Sequence, residues 1–324
     1  MHHKKIIRLL AAGVLAMAGS LAVAQSYPAR NVKWIVPYPP GGGSDVIART
    51  IGAQLSKQLA QPVIIDNRPG AATMIGADAA ARSPADGYTI FSGDNGSYVF
   101  NSALYKKMSY DPQKDFAPVT LIARFPLVLV VNPNAGFKNA QDLIAQVRRA
   151  PGKFNYASVG AGSPHHLAME MIKQKADAYI VHIPYRGAAP ALQDVLAGQV
   201  PMMVLDLATA LPQIKSGKLN ALAVASPNRL PQLPDAPTLK EVGLGDVEMY
   251  AWQGIVVPAN TPKDIVARLN AEIIKAIATP EVNKKLVDFG VEPLSGTPEQ
   301  MSAYIKSETV RWHALIKERK LALD

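Results

Sequence analysis

The 324-residue sequence contains no cysteine. This absence excludes disulfide bonds, thiolate metal ligands and a cysteine nucleophile. Runs of like charge are also absent, which argues against a nucleic-acid-binding surface despite the formal charge of +9. After the N-terminal segment, no apolar run approaches the roughly 18 residues of a transmembrane helix. We therefore expect a mature protein that is soluble and stabilised by its own core.

The N-terminal segment has the three parts of a secretory signal peptide. A basic start (residues 4–8) precedes an apolar stretch (residues 9–18), and residues 22–24 read Ala-Val-Ala, a small-residue cleavage site. The apolar stretch is too short to remain in a bilayer. We predict a signal peptide over residues 1–24 and a mature chain that begins near Gln25. An exported protein without disulfides is typical of a bacterial envelope, so the predicted location is periplasmic.

Short β-rich runs alternate with helical patterns through the mature sequence. This alternation is typical of βαβ units and predicts an α/β fold with largely parallel sheets. The predicted strands are Val32–Val36, Val63–Asp66, Tyr88–Ser92, Leu127–Val131, Asn155–Ser158, Ile180–Ile183, Met202–Leu205, Ala221–Ala225 and Ile255–Val257. The predicted helices include Asp45–Leu59, Ala140–Arg148, Leu167–Lys175, Ala189–Leu196, Pro262–Ala278 and a long last helix from Pro298 to about Lys320.

Four positions combine a hydroxyl residue with a following proline, the pattern of an N-cap and a first helical residue. The four pairs are Ser163-Pro164, Thr261-Pro262, Thr279-Pro280 and Thr297-Pro298. Gln300, three residues after Thr297, completes a capping box. Each pair therefore predicts the start of an α-helix.

Two Gly/Ser loops occupy similar positions in the two parts of the chain. Residues 39–44 read PPGGGS and residues 158–163 read SVGAGS, and each loop joins a predicted strand to a predicted helix. The free amides and the dipole of a helix N-terminus attract anions, and glycine lets a ligand approach the backbone. Pockets of open α/β sheets lie at the carboxyl ends of strands. We therefore predict two similarly built lobes, each with an anion-binding loop.

Neither loop matches a nucleotide-binding or catalytic motif. The sequence lacks G-x-x-x-x-G-K-[ST], the glycine spacing of G-x-G-x-x-G and the nucleophile elbow G-x-S-x-G. Ser44 and Ser163 are interpreted as helix caps and ligand donors rather than as nucleophiles. His165 and His166 are adjacent, so they lack the i, i+4 spacing of a helical zinc pair. We expect no catalytic residue, no metal site and no cofactor.

Some single residues have both a structural and a functional interpretation. Asp206 ends the apolar run PMMVLD, where it either contacts an ammonium or hydroxyl group of a ligand or caps the next helix. Asn95 and Ser97 lie in a polar turn after a predicted strand, and this turn is a candidate for the wall of the same cleft. His182 and His313 are interpreted as structural or surface residues.

Six stretches of the sequence resemble the Bug family, the periplasmic solute receptors of tripartite tricarboxylate transporters, also called TctC-like proteins. The stretches are WIVPYPPGGGSDVIAR, VIIDNRPGAATMIGADAAARSPADGYTI, SYDPQKDFAPVTLIARFPLVLVVNP, YASVGAGSPHHLA, HIPYRGAAPALQDVLAGQV and AWQGIVVPANTP. The resemblance spans nearly all of the mature chain. It is far more specific than either glycine loop alone.

The resemblance implies the fold of a periplasmic binding protein of type II, an α/β Venus flytrap with two lobes and two crossing hinge segments. We place lobe 1 at residues 25–125 and 250–324, and lobe 2 at residues 126–249. The crossings are placed near Arg124–Val128 and Glu248–Trp252.

The resemblance also implies the ligand contacts. The second-lobe loop is expected to grip a carboxylate with Ser158, Gly162, Ser163 and His166, whereas the first-lobe loop meets the other end of the ligand, often through water. The predicted first-lobe contacts are Tyr38, Gly42, Gly43, Ser44, Asn95 and Ser97. The acidic Asp206 is expected to favour an amino-acid or hydroxy-acid ligand. The third glycine of the first loop departs from the two that are commoner in the family.

The first functional hypothesis is a monomeric receptor that binds a small carboxylate without transforming it. The ligand is expected to be a di- or tricarboxylate, an amino acid or an aromatic acid, and the closed receptor delivers it to the permease subunits of a membrane transporter. An exported hydrolase with an active site between the lobes is the alternative. A third hypothesis, the effector-binding part of a transcription regulator, is disfavoured by the signal peptide and by the absence of a helix-turn-helix segment before Val32.

Overall fold

The computed structural model describes residues 27–245 and 247–323, and the predicted signal peptide lies outside these ranges. The strands are β1 Val32–Val36, β2 Val63–Asn67, β3 Thr89–Asp94, β4 Phe116–Val131, β5 Asn155–Ser158, β6 Val181–Pro184, β7 Met202–Asp206, β8 Asn220–Val224, β9 Tyr250–Pro258 and β10 Glu292–Pro293. The helices are α1 Gly43–Leu59, α2 Met74–Ala81, α3 Asn101–Leu104, α4 Ala140–Arg149, α5 Pro164–Ala176, α6 Ala188–Leu196, α7 Leu207–Lys215, α8 Lys263–Ala278, α9 Pro280–Asp288 and α10 Pro298–Glu318. A π-helical turn covers Gly96–Phe100.

The strands form one mixed sheet with a repeated order. The order is β2-β1-β3-β9-β4-β7-β5-β6, and β8 and β10 also pair with β4. In the first half, β1 pairs in parallel with β2 and β3, and β9 runs antiparallel beside β3. In the second half, β5 pairs in parallel with β6 and β7, and the end of β4 runs antiparallel beside β7. This repeat confirms the predicted two-lobed α/β fold.

The prediction of largely parallel sheets is wrong at the centre of the sheet. Strand β4 is 16 residues long. Its residues 116–126 pair antiparallel with β9, and its residues 127–131 pair antiparallel with β7 and β8. Only residues 127–131 were predicted as a strand, because Pro118 and Pro126 interrupt the β pattern of the earlier part. The change of partner occurs next to Pro126, and the domain boundaries drawn from the resemblance stay a prediction.

The helices begin close to their predicted starts, but only two of the four predicted hydroxyl caps form. Ser163 and Thr297 cap α5 and α10 with their side chains, and Thr297 also makes the predicted capping box. Thr261 and Thr279 make no cap hydrogen bond, because each hydroxyl donates to a carbonyl of the preceding turn. Helix α8 therefore begins one residue later than predicted, with Pro262 at its N-cap.

Helix α10 is anchored to the first half through buried indole rings. The Trp312 ring lies 5.2 Å from the Phe100 ring in an edge-on contact. The Glu308 carboxylate accepts the indole N–H of Trp312 at 2.9 Å and that of Trp252 at 3.2 Å. Buried indole N–H groups need such partners, so Glu308 fixes the position of Trp252 on β9. Trp252 lines a cavity between the two halves of the sheet.

Candidate functional site

Two adjoining cavities lie between the first and second halves of the sheet. The larger has a volume of about 620 Å³ and the smaller about 470 Å³. Both are lined by Tyr38 and Pro39 from the first half and by Val159, Arg186 and Gly187 from the second half. Because these walls are shared, the cavities are two parts of one cleft. Its size is that of a small-molecule site.

The first-half loop presents an uncapped helix N-terminus to the smaller cavity. The N-cap of α1 is Gly42, which has no side chain to cap the first-turn amides. Asp45 stabilises the loop by accepting the Gly41 amide at 2.9 Å, the Arg49 guanidinium at 2.9 Å and the Asn67 amide group at 3.0 Å. Burial opposes ionisation of Asp45, but these donors give its carboxyl a net lowered pKa. The predicted contacts at residues 42–44 all line the smaller cavity.

The polar side chains of the second-half loop are hydrogen-bonded to neighbouring protein groups. The Ser163 hydroxyl donates to the Gly160 carbonyl at 2.7 Å and accepts the His166 amide at 3.3 Å. Ser158 Oγ lies 2.7 Å from His182 Nε2 and also donates to the Gly160 carbonyl at 3.0 Å. Gly162 and Ser163 line the larger cavity, whereas Ser158 is completely buried and lines neither cavity. These bonds fix the loop and engage its hydroxyl groups, and the amides of Gly162 and Ser163 are likewise bonded, to His166 Nδ1 and to the Gly160 carbonyl.

Tyr38 lines both cavities and is held by a buried carboxylate. Its hydroxyl donates to Asp94, which also accepts the amide of Ser97 at 3.0 Å and its hydroxyl at 3.1 Å. Burial first, and then the Asp94 charge, raises the pKa of Tyr38 well above its ordinary value. The phenol therefore stays neutral. Ser97 itself is fully buried and lines neither cavity.

Asn95 also lies behind the cleft wall. Its side chain accepts the Trp252 amide at 2.9 Å and donates to the Tyr250 carbonyl at 3.2 Å. These bonds join the end of β3 to the start of β9. Asn95 is fully buried and lines neither cavity, so the structure gives it a position in the scaffold rather than in the cleft surface.

His166 also lies behind the second-half loop. Its Nδ1 accepts the Gly162 amide at 3.1 Å, and its ring stacks on that of His182 with centroids 4.0 Å apart. The cleft wall instead contains the preceding residue, His165. Side chains of adjacent residues in a helix point about 100° apart. The sequence did not define how this helix is rotated about its axis, so it did not show which of the two histidines faces the cleft.

A buried charge cluster supports the two stacked histidine rings. Glu170 Oε1 accepts the Tyr156 hydroxyl at 3.0 Å and pairs with Lys173, and Glu170 Oε2 lies 3.3 Å from the Arg319 guanidinium. His166 Nε2 lies 4.0 Å from Glu170 Oε1. Burial opposes ionisation of Glu170, but the Lys173 ammonium and the Tyr156 hydroxyl give its carboxyl a net lowered pKa.

We expect the free energy of unfolding to fall as the pH is lowered from about 6.5 towards 4. Burial lowers the pKa of His166 from 6.5 to about 4 and that of His182 from 6.5 to about 3. The unfolded chain therefore binds more protons than the folded chain in this range, and stability rises with pH. The lowered pKa of Glu170 acts in the same direction near pH 4. The melting temperature, measured from pH 7.5 to 4.5, should fall with pH.

The variant His182→Asn removes one of these buried titrating rings. Its melting temperature should depend less on pH than that of the unmodified chain. A pH-independent melting temperature in the unmodified chain would contradict the burial of two neutral rings. The matched control is His313→Asn, which removes a half-buried histidine outside this cluster and should change the slope less than His182→Asn does.

Asp206 both caps a helix and lines the cleft. Its Oδ1 accepts the Thr209 amide at 2.9 Å, which makes it the N-cap of α7. It also lines the smaller cavity, where its Oδ2 lies 3.6 Å from His165 Nε2. Burial works to raise the pKa of Asp206, but His165 and the Thr209 amide produce a net lowering. The carboxylate is therefore ionised at neutral pH. The interpretation as a helix cap is confirmed, whereas a contact between Asp206 and a ligand stays a prediction.

Sequence reasoning missed Arg186 as a cleft residue. It lies in the loop between β6 and α6, is exposed and lines both cavities. No other lysine or arginine lines either cavity among the described residues. Arg186 also makes no hydrogen bond or ion pair with residues 27–245 or 247–323. The motif PYRG contained it, but a single arginine in a loop is also typical of a solvated surface.

A left-handed turn before α2 was also missed. Gly70, Ala71, Ala72 and Thr73 have successive φ values of 124°, 46°, 49° and 74°, and all four line the larger cavity. Left-handed conformations are unfavourable for residues with a Cβ, and such strain is often found at functional sites. Two alanines and a threonine carry no sequence signal for this conformation, so only the structure reveals it.

The side chains of the described residues offer no conventional metal site. No group of three or more histidine, aspartate and glutamate side chains in residues 27–245 and 247–323 is arranged to hold a metal ion. Within the same residues, no helix combines the length and the apolar character needed to cross a membrane.

Comparisons with known proteins agree with this geometry. The model of the family described as "Tripartite tricarboxylate transporter family receptor" matches residues 47–321. The UPF0065 protein in the tcbD-tcbE intergenic region of Pseudomonas sp. (strain P51) is 41% identical over 97% of this chain and 94% of that protein.

Two solved structures are similar over most of the chain. Rpa4515 of R. palustris, solved with adipate, has a TM-score of 0.88 and 35% identity, covering 92% of this chain and 100% of that one. The periplasmic binding protein BugD has a TM-score of 0.86 and 32% identity, covering 92% and 100%. The family match includes strands of both halves of the sheet and the second glycine loop. This chain therefore belongs to the TctC family of tripartite tricarboxylate transporter receptors.

Proposed function

We propose that this protein captures a small carboxylate in the cleft between the two halves and presents the closed complex to the permease subunits of a membrane transporter. One observation carries the proposal. The cleft is walled from both sides, and it combines the uncapped N-terminus of α1 with the unpaired Arg186. Both groups are suited to a carboxylate. Adipate, the acid bound by the similar Rpa4515, is a ligand of this class.

The hydrogen-bond donors of the cleft are sufficient for a micromolar affinity. A hydrogen bond to a charged group contributes about 1.5–3 kcal/mol. Three or four of them, together with burial in the cleft, are enough for the roughly −8 kcal/mol of micromolar binding after ordering costs. The second-half loop adds few donors of its own, because the hydroxyl groups of Ser158 and Ser163 and the amides of Gly162, Ser163 and His166 are engaged by neighbouring protein groups.

Ligand binding is expected to favour the closed form. The two walls are close: a Cβ added to Gly187 would lie 3.9 Å from Pro39 Cγ, and one added to Gly96 would lie 3.8 Å from the Gly162 carbonyl. Only the closed form places both sets of donors around one ligand, so the ligand shifts the open–closed equilibrium. A monomeric protein in the periplasm, where a transporter permease is accessible, fits this mode of action.

No observation favours the hydrolase alternative. The serine–histidine pair within hydrogen-bonding distance in the cleft region is Ser158 with His182, but Ser158 is completely buried and lines neither cavity. The Ser44 hydroxyl accepts from the amide group of Gln253, which is not a base. We therefore propose binding without a catalytic step.

The first test is a titration with adipate, measured by calorimetry and by tryptophan fluorescence. We expect binding in the micromolar range and a fluorescence change, because Trp252 lines the smaller cavity. Gly43→Ala should weaken binding at least about tenfold, which corresponds to about 1.4 kcal/mol. The added Cβ would lie 3.1 Å from the Phe125 ring and 4.0 Å from Asp206 Oδ1. It would therefore narrow the cavity at the helix N-terminus.

The control is Gly52→Ala in the same helix. Its Cβ would make ordinary contacts, 3.4 Å from Ile65 and 3.6 Å from Val63, on the side of α1 that packs on β2. This variant should bind like the unmodified protein. Equal affinities for Gly43→Ala and Gly52→Ala would show that the α1 N-terminus does not contact the ligand, and a lack of response to any small carboxylate would contradict the proposed function.

A further inference from the structure

We propose that the smaller cavity recognises a hydroxyl group on the ligand, so that the natural solute is a hydroxy-substituted carboxylate. This inference rests on the proposed function and adds the class of ligand. It concerns the polar end of the smaller cavity, which we define as the N-terminus of α1 with the side chains of Asp206, His165 and Gln253.

One side of the polar end supplies hydrogen-bond donors. The first-turn amides of α1 have no intrahelical acceptor, and the N-cap Gly42 provides no side-chain acceptor. The helix dipole adds a partial positive charge at this position. This side can donate hydrogen bonds to an oxygen atom of the ligand, and it disfavours a cation.

The other side supplies a buried negative charge. Asp206 is 8% exposed, and its Oδ1 is used by the Thr209 amide. Its Oδ2 lies 3.6 Å from His165 Nε2. A Cβ on Gly43 would lie 4.0 Å from Asp206 Oδ1, so this carboxylate faces the first turn of α1. This side can accept a hydrogen bond from the ligand, and it repels a ligand carboxylate.

Two further buried side chains at this end have unused hydrogen-bonding atoms. His165 is 8% exposed, and neither of its ring nitrogens has a hydrogen-bond partner among the described residues. Gln253 is 4% exposed, and its Oε1 is likewise unpaired there. Buried polar atoms without partners are unfavourable. Both residues line the smaller cavity, where the His165 ring can donate to a ligand hydroxyl and Gln253 Oε1 can accept from a further donor.

A hydroxyl is the ligand group that suits both sides at once. It has one donor and two acceptor positions, so it can accept an α1 amide and donate to Asp206. An ammonium has donors only and would face the positive end of the helix dipole. A carboxylate has acceptors only and would lie against the ionised Asp206. The neutral hydroxyl avoids both conflicts.

The carboxylate of the same ligand would lie towards the junction of the two cavities. Arg186 lines both cavities, and no acidic residue lines the larger cavity among those described. The smaller cavity, in contrast, contains Asp94 and Asp206. The charges of the cleft therefore orient a ligand with its anionic end near Arg186 and its hydroxyl at the polar end.

The test compares matched acids by calorimetry on ligand-free protein. The first set is succinate, malate and aspartate, and the second is glutarate, 2-hydroxyglutarate and glutamate. We expect the hydroxy acid to bind at least about tenfold more tightly than the other two members of at least one set. Equal affinities within both sets, or tighter binding of the amino acids, would overturn the inference while leaving carboxylate binding intact. Failure of all six acids and of adipate to bind would overturn the proposed function itself, and the inference with it.

The variant Asp206→Asn separates recognition from folding. Asparagine also caps helices well, so α7 should remain intact. Loss of the charge weakens the bond from the hydroxyl and removes the repulsion of a carboxylate, so the preference for the hydroxy acid should shrink to less than about threefold. The control Asp177→Asn makes the same change at an exposed helix end and should keep the preference. An unchanged preference in Asp206→Asn would also overturn the inference.

Discussion

The variant Arg186→Glu should bind adipate at least about 100-fold more weakly than the unmodified protein. The substitution removes charge-assisted hydrogen bonds of about 1.5–3 kcal/mol each and adds repulsion between two carboxylates. A 100-fold loss corresponds to about 2.7 kcal/mol. Arg186 is exposed and makes no ion pair with the other described residues, so the melting temperature should stay the same. Calorimetry and thermal unfolding measure the two quantities separately.

The charge change itself requires a control. Lys218→Glu alters the net charge by the same amount at an exposed residue that lines neither cavity. It should lower adipate affinity less than about threefold at physiological salt, because distant exposed charges are screened. If both variants weaken binding equally, the effect comes from net charge, and Arg186 is not a ligand contact. Arg186→Lys should give an intermediate affinity, because lysine keeps the charge but not the planar fork of donors.

The variant Gly93→Ala should lose about 3 kcal/mol or more of its free energy of unfolding. A Cβ on Gly93 would lie 2.5 Å from Cζ and 2.7 Å from Oη of Tyr98, and 2.8 Å from the Phe91 ring. The Tyr98 hydroxyl accepts the Gly93 amide at 2.8 Å and donates to the Gly254 carbonyl at 3.0 Å. Overpacking typically destabilises by 1–3 kcal/mol, and breaking these buried bonds adds to that.

Gly254 provides the comparison, because it pairs with Gly93 across β3 and β9. A Cβ on Gly254 would lie 2.5 Å from Met301 Cε, the end of a flexible side chain, and 3.2 Å from the Thr120 carbonyl. Urea titrations should therefore show a smaller loss for Gly254→Ala than for Gly93→Ala. Equal losses would mean that the Tyr98 ring is not fixed as tightly as its two hydrogen bonds indicate.

The Gly93→Ala substitution should also affect the wall of the cleft. Gly93 is followed by Asp94, the carboxylate that holds Tyr38 and Ser97. Displacement of Tyr98 should therefore disturb the first-half wall as well as the core. The glycine was not singled out from the sequence, because one glycine in a strand does not reveal which distant ring lies against it.

Local patterns were sufficient for most secondary structure. Helix α1 was predictable because Ile47, Ile51 and Leu55 recur at helical spacing, and all three are fully buried. The capping box of Thr297 and Gln300 was predictable because both partners lie within one turn. The antiparallel pairing of the central strands was not predictable, because β4 and β9 are far apart in the chain.

The sequence predicted where the cleft lies but not which side chains line it. Both glycine loops line it, as expected from strand ends and helix starts. Among the predicted contacts, however, Asn95, Ser97, Ser158 and His166 lie behind its surface. Their roles as ligand contacts stay predictions, and the structure gives each of them a bond that supports the wall.

The sequence by itself determined the order of strands and helices, the two glycine loops and the resemblance to a receptor family, because these depend on residues that are close along the chain. Only the tertiary structure decided which polar groups remain available to a ligand. The Ser163 hydroxyl and the His166 ring are occupied by neighbours, whereas Arg186, His165 and Gln253 keep unused hydrogen-bonding atoms at the cleft. A polar atom is free or engaged according to the folded conformation of its own loop and to what packs against it, and a local sequence pattern determines neither.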